Sequence, residues 1–271
     1  MSLVSEGDLT ADPAHLRPPA SRVLAGRTAL ITGAASGIGA AIAIAYSDAG
    51  ANLALADRAA GSDLDAVAAL CAAQGVQVST KHADVSDEEQ VEGMFTQARS
   101  ELGTIEILVA NAGILTESPV VTMSTALFDE MIAINLRSVF LCCRAAMPSM
   151  IDAGFGRIIN MASQVGQRGG AGLAHYAAAK AGVIGFTKSI ARELGGTGVT
   201  VNCIAPGPIQ TPLGGTLSEG WTRSLMAGLP LKRSGEAFEV APTAVLLASE
   251  PGGNLYTGQT LGPNSGDVMF G

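Results

Sequence analysis

The chain has 271 residues, of which 48% are hydrophobic, only 4% are aromatic and 34 are glycine, and it carries a formal net charge of −8. This length can bury a substantial core, which must be built from alanine, valine, isoleucine and leucine. The acidic balance, with no block of lysine or arginine, argues against a nucleic-acid or anionic-membrane partner.

The four cysteines show neither a Cys-x-x-Cys spacing nor a disulfide framework, so we expect buried free thiols in a reducing compartment. The three histidines do not resemble a metal ligand set, and no metal is expected. The N-terminus lacks the apolar core of a signal peptide, and no apolar stretch reaches the roughly 18–20 residues that span a bilayer. These features predict a cytoplasmic protein without a membrane segment.

Residues 1–24 are predicted to be a flexible extension, because they carry three prolines and no periodicity. From residue 25 to residue 271, short β-like segments alternate with helical ones. The strand candidates are 27–32, 52–57, 76–82, 105–110, 157–163, 199–205 and 255–261, and the helix candidates are 38–49, 63–74, 87–102, 124–152, 175–195 and 236–249. This alternation predicts an α/β fold with a doubly wound parallel sheet in a single domain.

One segment, at about 207–235, is too long for an ordinary connection between elements. Long loops inside compact domains are usually binding loops or lids, so we expect a substrate lid here. Its apolar residues predict an uncharged or partly apolar substrate; they are Leu213, Leu217, Leu225, Met226 and Leu229.

The first strand leads directly into "TGAASGIG" (32–39) and then into an apolar helix. Gly33 permits a tight turn, Gly37 lets the backbone approach a pyrophosphate, and Gly39 lets the helix pack against the sheet. Asp57 ends the second strand, where a carboxylate can bind ribose hydroxyls. Such a carboxylate repels a 2′-phosphate, which favours NAD(H) over NADP(H), although Arg58 beside it could stack on adenine or meet that phosphate.

Tyr176 and Lys180 lie four residues apart in "YAAAK", so a helix would place them on one face. Taken alone, the pair also fits an amphipathic helix with a snorkelling lysine. A free tyrosine has a pKa near 10, and a nearby ammonium would lower that pKa toward neutrality. Ser163 is predicted at the end of a strand, at the edge of the sheet where open α/β folds bind ligands. Together these residues predict a proton donor beside a bound carbonyl.

In chain order, "TGAASGIG", Asp84–Val85, "NAG" (111–113), Asn135, Ser163, "YAAAK" (176–180) and "PG" (206–207) resemble the short-chain dehydrogenase/reductase family. The resemblance covers roughly residues 24–262. It implies a Rossmann-type sheet of seven parallel strands, a nicotinamide cofactor and hydride transfer to or from a carbonyl carbon. It also implies a homotetramer assembled through helices 124–152 and 175–195.

The resemblance assigns roles residue by residue. Tyr176 would be the general acid/base with Lys180 as its partner, Ser163 would hydrogen-bond the substrate oxygen, and Asn135 would hold a water in the proton relay. The expected cofactor-binding residues are Gly33, Ser36, Gly37, Ile38, Gly39, Asp57, Arg58, Asp84, Val85, Asn111, Ala112, Gly113, Tyr176, Lys180, Pro206, Gly207, Ile209 and Thr211.

The resulting expectation is an NAD-dependent enzyme that interconverts a small or medium secondary alcohol and its ketone. An NADPH-dependent 3-oxoacyl-thioester reductase is the alternative, against which Asp57 and the tail "GQTLGPNSGDVMFG" argue. A third hypothesis is a nucleotide-binding protein that has lost catalysis. His175 is expected to point away from the catalytic face. Gln164, Gln167 and Arg168 could contact either substrate or solvent.

Overall fold

The computed structural model describes residues 22–58 and 62–269, so residues 1–21 of the predicted extension lie outside the described residues. Leu24, the last residue of that predicted extension, is buried, and its N–H donates to the main-chain oxygen of Ala49. The packed core therefore includes Leu24.

The strands are β1 (Thr28–Thr32), β2 (Asn52–Asp57), β3 (Val78–His82), β4 (Ile107–Ala110), β5 (Gly156–Met161), β6 (Val199–Ile204), β7 (Ile209–Gln210), β8 (Gly235–Glu236) and β9 (Thr260–Leu261). Seven of them form one parallel sheet, as the family resemblance implied, and their spatial order is β3-β2-β1-β4-β5-β6-β9. A separate two-stranded ribbon pairs β7 with β8.

Helices cover both faces of this sheet, which confirms the doubly wound α/β architecture. They are α1 (Gly37–Asp48), α2 (Ser62–Ala72), α3 (Glu88–Leu102), α4 (Thr125–Ile132), α5 (Ser138–Ala153), α6 (Gln164–Arg168), α7 (Ala174–Glu193), α8 (Glu219–Gly228) and α9 (Ala237–Ala248).

The core consists of two apolar layers, one on each side of the sheet. Successive side chains of a strand point to opposite faces, so Leu30 lies in the apolar layer that includes residues of α3, α5 and α7, whereas Ile31 lies in the layer that includes residues of α1 and α9. Strands buried on both faces read as continuous apolar runs, as β4 does with Ile107–Ala110. The cysteines Cys71, Cys142, Cys143 and Cys203 are buried and unbridged in this core.

Three predicted elements differ from those observed. The helix expected at 124–152 is interrupted by a π-helical turn, Ala133–Arg137, which carries Asn135. The strand expected at 255–261 shortens to two residues, because Gly258 adopts a positive φ and Leu255 is exposed. The segment 207–235 is not one long loop, since it contains β7, the 3₁₀ turn Gly214–Thr216 and α8.

Within residues 22–58 and 62–269, no helix combines the length and apolar character needed to cross a membrane.

Candidate active site

A cleft with a volume of about 780 Å³ opens at the carboxyl ends of the parallel strands. From β1 the chain continues to β2 on one side, whereas from β4 it continues to β5 on the opposite side, so the direction of winding reverses between β1 and β4. Ligands of open α/β sheets bind at such a reversal. Every predicted site residue except Gly39 lines this cleft; they are Gly33, Ser36, Gly37, Ile38, Asp57, Arg58, Asp84, Val85, Asn111, Ala112, Gly113, Asn135, Ser163, Tyr176, Lys180, Pro206, Gly207, Ile209 and Thr211.

Gly39 lies beneath the loop that joins β1 to α1. A Cβ at this position would stand 2.1 Å from the main-chain oxygen of Gly33, so only glycine lets α1 begin this close to the loop. Gly33 itself has a φ of +66°, a left-handed conformation that glycine adopts without strain. The N-cap residue Ser36 makes no side-chain capping bond within the described chain, which leaves the first amides of α1 available to a ligand.

Asn111 has a positioning role that sequence reasoning missed. Its Nδ2 donates to the main-chain oxygens of Thr32 (2.9 Å) and Gly33 (3.1 Å). The N–H groups of Asn111 and Ala112 both donate to Thr32 Oγ1 at 3.1 Å. The end of β4 therefore fixes the glycine loop. The pattern "NAG" marks this position but does not indicate such contacts.

Asp57 ends β2 beside the same loop. Its Oδ2 accepts a 3.0 Å hydrogen bond from the Ala35 N–H. The carboxylate is thereby fixed at the rim of the cleft, and Arg58 follows it there.

A nicotinamide dinucleotide fits this half of the cleft. Uncapped helix amides and a glycine loop suit a diphosphate, and a carboxylate at the end of β2 suits ribose hydroxyls. Such a cofactor supplies or accepts a hydride when bound.

Lys180 and Tyr176 project from α7 into the cleft. Lys180 Nζ donates a 2.8 Å hydrogen bond to the main-chain oxygen of Met161 and lies 5.7 Å from the centroid of the Tyr176 ring. Burial lowers the pKa of Lys180 to about 8, an effect that the nearby Cys203 partly opposes. The ammonium is therefore anchored to the end of β5.

The expected lowering of the Tyr176 pKa by Lys180 is wrong for this structure. Burial raises the pKa of Tyr176 to about 12, and a hydrogen bond with Ser163 partly offsets this rise. The reason is that the phenol is removed from water while the ammonium is directed at Met161. At neutral pH Tyr176 is consequently protonated, in the form that donates a proton.

Ser163 is the N-cap residue of α6, a short helix that the sequence did not predict. Its Oγ accepts a 3.2 Å hydrogen bond from the Val165 N–H. This cap fixes the hydroxyl at the end of β5, close enough to Tyr176 to hydrogen-bond with it.

Asn135 lies in the π-helical turn and is fully buried. Its Nδ2 donates to the main-chain oxygens of Ile114 (3.1 Å) and Met131 (3.2 Å), while its Oδ1 accepts from the Ile114 N–H at 3.3 Å. A Cβ on Gly113 would stand 2.5 Å from Asn135 Oδ1 and 3.6 Å from Lys180 Nζ. Asn135 and Lys180 thus approach each other across a glycine backbone.

The other half of the cleft has an apolar wall, only part of which was predicted. The segment 207–235 contributes the expected Leu213, Leu217, Leu225 and Met226, whereas Leu229 is buried and does not line the cleft. Trp221, on α8 of the same segment, is a further member. Sequence reasoning missed the members that come from other loops and helices, because no local pattern indicates that they meet; they are Leu115, Val165 and Leu173.

Two polar residues near the cleft contact protein groups. His175 Nε2 lies 2.8 Å from Thr116 Oγ1, and burial lowers the pKa of this imidazole. Arg168 forms an ion pair with Asp267 of the C-terminal tail. Neither residue lines the cleft.

In the described ranges, 22–58 and 62–269, no group of three or more histidine, cysteine, aspartate or glutamate side chains is arranged to hold a metal ion.

The chain is similar to several known proteins. A family model described as enoyl-(acyl carrier protein) reductase matches residues 33–266. A 3-oxoacyl-[acyl-carrier-protein] reductase FabG of Staphylococcus aureus is 38% identical over 243 residues, which cover 90% of this chain and 98% of that protein.

Two solved structures are also similar. The crystal structure of levodione reductase superimposes with a TM-score of 0.85 at 35% identity, covering 90% of this chain and 98% of that one. The crystal structure of a putative NAD(P)-dependent gluconate 5-dehydrogenase from Beutenbergia cavernae, with NADP bound at low occupancy, superimposes with a TM-score of 0.85 at 33% identity. The match covers 92% of this chain and 99% of that one. The chain belongs to the short-chain dehydrogenase/reductase family of oxidoreductases.

Proposed function

We propose that this protein is an NAD(H)-dependent oxidoreductase that interconverts a secondary alcohol and its ketone, with Tyr176 as the general acid/base. The observation that carries the proposal is the convergence of Ser163, Tyr176, Lys180 and Asn135 on one cleft beside a glycine loop. A non-catalytic nucleotide-binding protein would not need these four buried polar side chains together beside an apolar wall.

In the reducing direction, the carbonyl carbon gains a hydride and its oxygen becomes an alkoxide. Ser163 would hydrogen-bond that oxygen, and the Tyr176 hydroxyl would transfer its proton to it, which leaves an alcohol and a phenolate. Lys180, held by Met161, would stabilise the phenolate until it regains a proton. Oxidation runs through the same groups in reverse.

NAD(H) is proposed because Asp57, a carboxylate at the end of β2 that is held by the Ala35 N–H, would accept hydrogen bonds from ribose hydroxyls and repel a 2′-phosphate. The competing proposal, an NADPH-dependent 3-oxoacyl-thioester reductase, draws support from the 38% identity to the Staphylococcus aureus reductase. The neighbour with bound NADP also favours the phosphorylated cofactor. Cytoplasmic location and homotetramer assembly remain predictions.

Parallel titrations with NADH and NADPH, followed by quenching of Trp221 fluorescence, test the cofactor. Tighter binding of NADH supports Asp57 as the group that recognises the ribose. Tighter binding of NADPH, together with reduction of an acetoacetyl thioester and not of simple ketones, would replace the proposal with the thioester reductase.

Tyr176→Phe tests the chemistry. The variant should lose turnover while its NADH affinity stays within about twofold, because the ring still fills the same space and only the hydroxyl group, which carries the transferred proton, is lost. Tyr256→Phe is the matched control, since Tyr256 does not line the cleft, and it should retain full activity. Normal turnover by Tyr176→Phe would refute the proton-donor role.

A further inference from the structure

His175 is a fully buried residue that the proposed chemistry does not use, and it directly precedes Tyr176 in the first turn of α7. Its Nε2 lies 2.8 Å from Thr116 Oγ1, so the imidazole and the hydroxyl share a hydrogen bond. Its Nδ1 has no hydrogen-bond partner among residues 22–58 and 62–269. Burying a ring nitrogen without a partner costs free energy that an apolar side chain would not incur. The bond to Thr116 therefore explains why a histidine stands here.

The first turn of α7 needs such a bond, because its backbone is weakly held. The N-cap residue, Leu173, offers no side-chain acceptor to the first amides of the helix. The segment that leads into the helix contains Gly169 and Gly172, both with positive φ values. Helix ends without caps fray readily, so contacts of the side chains must hold this turn. Tyr176 lies in the same turn, and its hydroxyl has to stay within reach of the reacting oxygen.

Thr116 lies in the loop that follows β4, and this loop is itself fixed to the site. Ile114 forms two hydrogen bonds with the Asn135 amide, through its N–H at 3.3 Å and its main-chain oxygen at 3.1 Å. The Ser118 N–H donates to the main-chain oxygen of Gly172 at 2.8 Å. The loop is thus anchored to a buried amide on one side of Thr116 and to the approach to α7 on the other.

Neither His175 nor Thr116 lines the cleft, so neither contacts a substrate or cofactor bound there. We infer that His175 is a positioning residue, which holds the Tyr176 hydroxyl in place through the hydrogen bond between its ring and Thr116. This inference rests on the proposed role of Tyr176 as the general acid/base. Leu115, the neighbour of Thr116, packs in the same apolar cluster as the Tyr176 ring, so the loop and the turn also meet there. A small displacement of a proton donor is enough to slow turnover.

Kinetic measurements on the full-length protein test the inference by removing either partner of the bond. The probe is whichever of butan-2-one, cyclohexanone and acetophenone the wild type reduces fastest, with oxidation of the reduced cofactor followed by absorbance. Thr116→Val, which loses the hydroxyl but keeps the shape of the side chain, and His175→Leu should each lower kcat by about 10-fold or more.

The same measurements distinguish a displaced proton donor from an altered substrate site. KM for the ketone and the dissociation constant of NADH should stay within about twofold, because the residues that line the cleft are unchanged. A higher KM with an unchanged kcat would overturn the inference, since it would show that the contact shapes the substrate site and not the position of Tyr176.

Combined and conservative substitutions test whether the bond itself matters. Thr116→Val together with His175→Leu should be no slower than the slower single variant, because both remove the same bond. Thr116→Ser and His175→Gln keep groups that can form the bond, so each should be faster than Thr116→Val or His175→Leu, respectively. Effects that multiply in the double variant, or a Thr116→Ser variant as slow as Thr116→Val, would overturn the inference.

Thr122→Val is the matched control. It removes an exposed hydroxyl from the same connection between β4 and α4, where Thr122 Oγ1 donates to the main-chain oxygen of Pro119, and it should keep the wild-type kcat. Circular dichroism verifies that each variant folds. Should His175→Leu fail to fold, Thr116→Val and Thr116→Ser decide the question.

Tyrosine resonances give a readout that does not depend on turnover. The chain has three tyrosines, Tyr46, Tyr176 and Tyr256, so isotopically labelled tyrosine gives few ring signals in an NMR spectrum, and Tyr176→Phe identifies that of Tyr176. In Thr116→Val this signal should shift or broaden, whereas the signals of Tyr46 and Tyr256 should not change. An unchanged Tyr176 signal in both Thr116→Val and His175→Leu would overturn the inference, and this readout decides if none of the three ketones is reduced.

The outcomes separate this inference from the proposed function. Wild-type kcat in Thr116→Val, with loss of turnover in Tyr176→Phe, would overturn the positioning role of His175 while the proton-donor role stands. Normal turnover in Tyr176→Phe would refute the proton-donor role and, with it, the positioning role.

Discussion

Lys180 Nζ donates its 2.8 Å hydrogen bond to the main-chain oxygen of Met161, the last residue of β5. The bond crosses from α7 to the sheet, so the ammonium is fixed relative to Ser163, which lies two residues beyond Met161. Because Lys180 is only 3% exposed, this bond offsets part of the cost of burying its charge.

Lys180→Met should lower kcat/KM for ketone reduction by at least about 100-fold, because the phenolate formed on Tyr176 loses its neighbouring cation. Lys188→Met, on the exposed side of the same helix, is the control and should keep wild-type kinetics. Circular dichroism verifies that both variants fold. Wild-type kcat/KM in a folded Lys180→Met variant would contradict the role given to Lys180.

Asp57→Asn should shift the cofactor preference toward NADPH by about 10-fold or more, measured as the ratio of dissociation constants. The substitution removes the charge that repels a 2′-phosphate but keeps an oxygen that can accept from the Ala35 N–H. Asp65→Asn, on the exposed surface of α2, should leave the ratio unchanged. An unaltered ratio in Asp57→Asn would mean that another residue, such as Arg58, sets the preference.

Local patterns were sufficient to predict the sheet, the glycine loop and the placement of Tyr176 and Lys180 on one helical face. These features depend on strand periodicity, turn chemistry and helical spacing, all of which act within a few residues. The same local information gave the wrong direction for the Tyr176 pKa, because burial depends on Leu115 and Leu173, which arrive from other loops.

The π-helical turn around Asn135 and the part of the apolar wall that lies outside the segment 207–235 were also beyond sequence reasoning. Asn135 bonds with Ile114, and Trp221 Nε1 donates to the main-chain oxygen of Ala171 at 3.1 Å. Such contacts join segments that are distant in the chain, and no spacing rule indicates which segments meet.

Gly39→Ala and Gly93→Ala form a matched pair of helical substitutions with opposite expected effects. A Cβ at position 39 would stand 2.1 Å from the Gly33 oxygen, so the variant should unfold more easily and bind NADH at least about 10-fold more weakly. A Cβ on Gly93, in α3, would meet nothing within 4 Å. Gly93→Ala should raise the free energy of unfolding by about 0.5–1 kcal/mol, because alanine is the better helix former.

Denaturant titrations and cofactor binding measure these two effects. Equal NADH affinity in Gly39→Ala and the wild type would show that the glycine loop adjusts without loss, contrary to the close approach seen at Gly33.

The buried thiol of Cys203 should make the protein less stable at alkaline pH. Burial raises the pKa of Cys203 from 9.0 to about 11, although Thr187 and Lys180 oppose the rise. A group whose pKa is raised by folding contributes stability that is fully present below about pH 9 and is lost as the pH approaches 11. Two pKa units correspond to about 3 kcal/mol at the upper end of this window.

Lys180 acts in the opposite direction, because folding lowers its pKa to about 8 and the unfolded chain binds the proton more tightly between pH 8 and 10. Burial also raises the pKa values of Tyr46, Cys142, Cys143 and Tyr176, so the wild-type profile mixes all of these contributions. The comparison that isolates Cys203 is the difference between the wild type and a variant. Cys203→Ala should be less stable than the wild type at pH 8, and this deficit should shrink as the pH rises to 10.5.

Ile204→Val, a substitution at a buried neighbour without a titratable group, is the control. Its deficit should stay constant over the same pH range. Urea denaturation at several pH values measures both deficits in the free energy of unfolding. If the Cys203→Ala deficit does not change with pH, the pKa of this thiol is the same in the folded and the unfolded chain, contrary to the prediction.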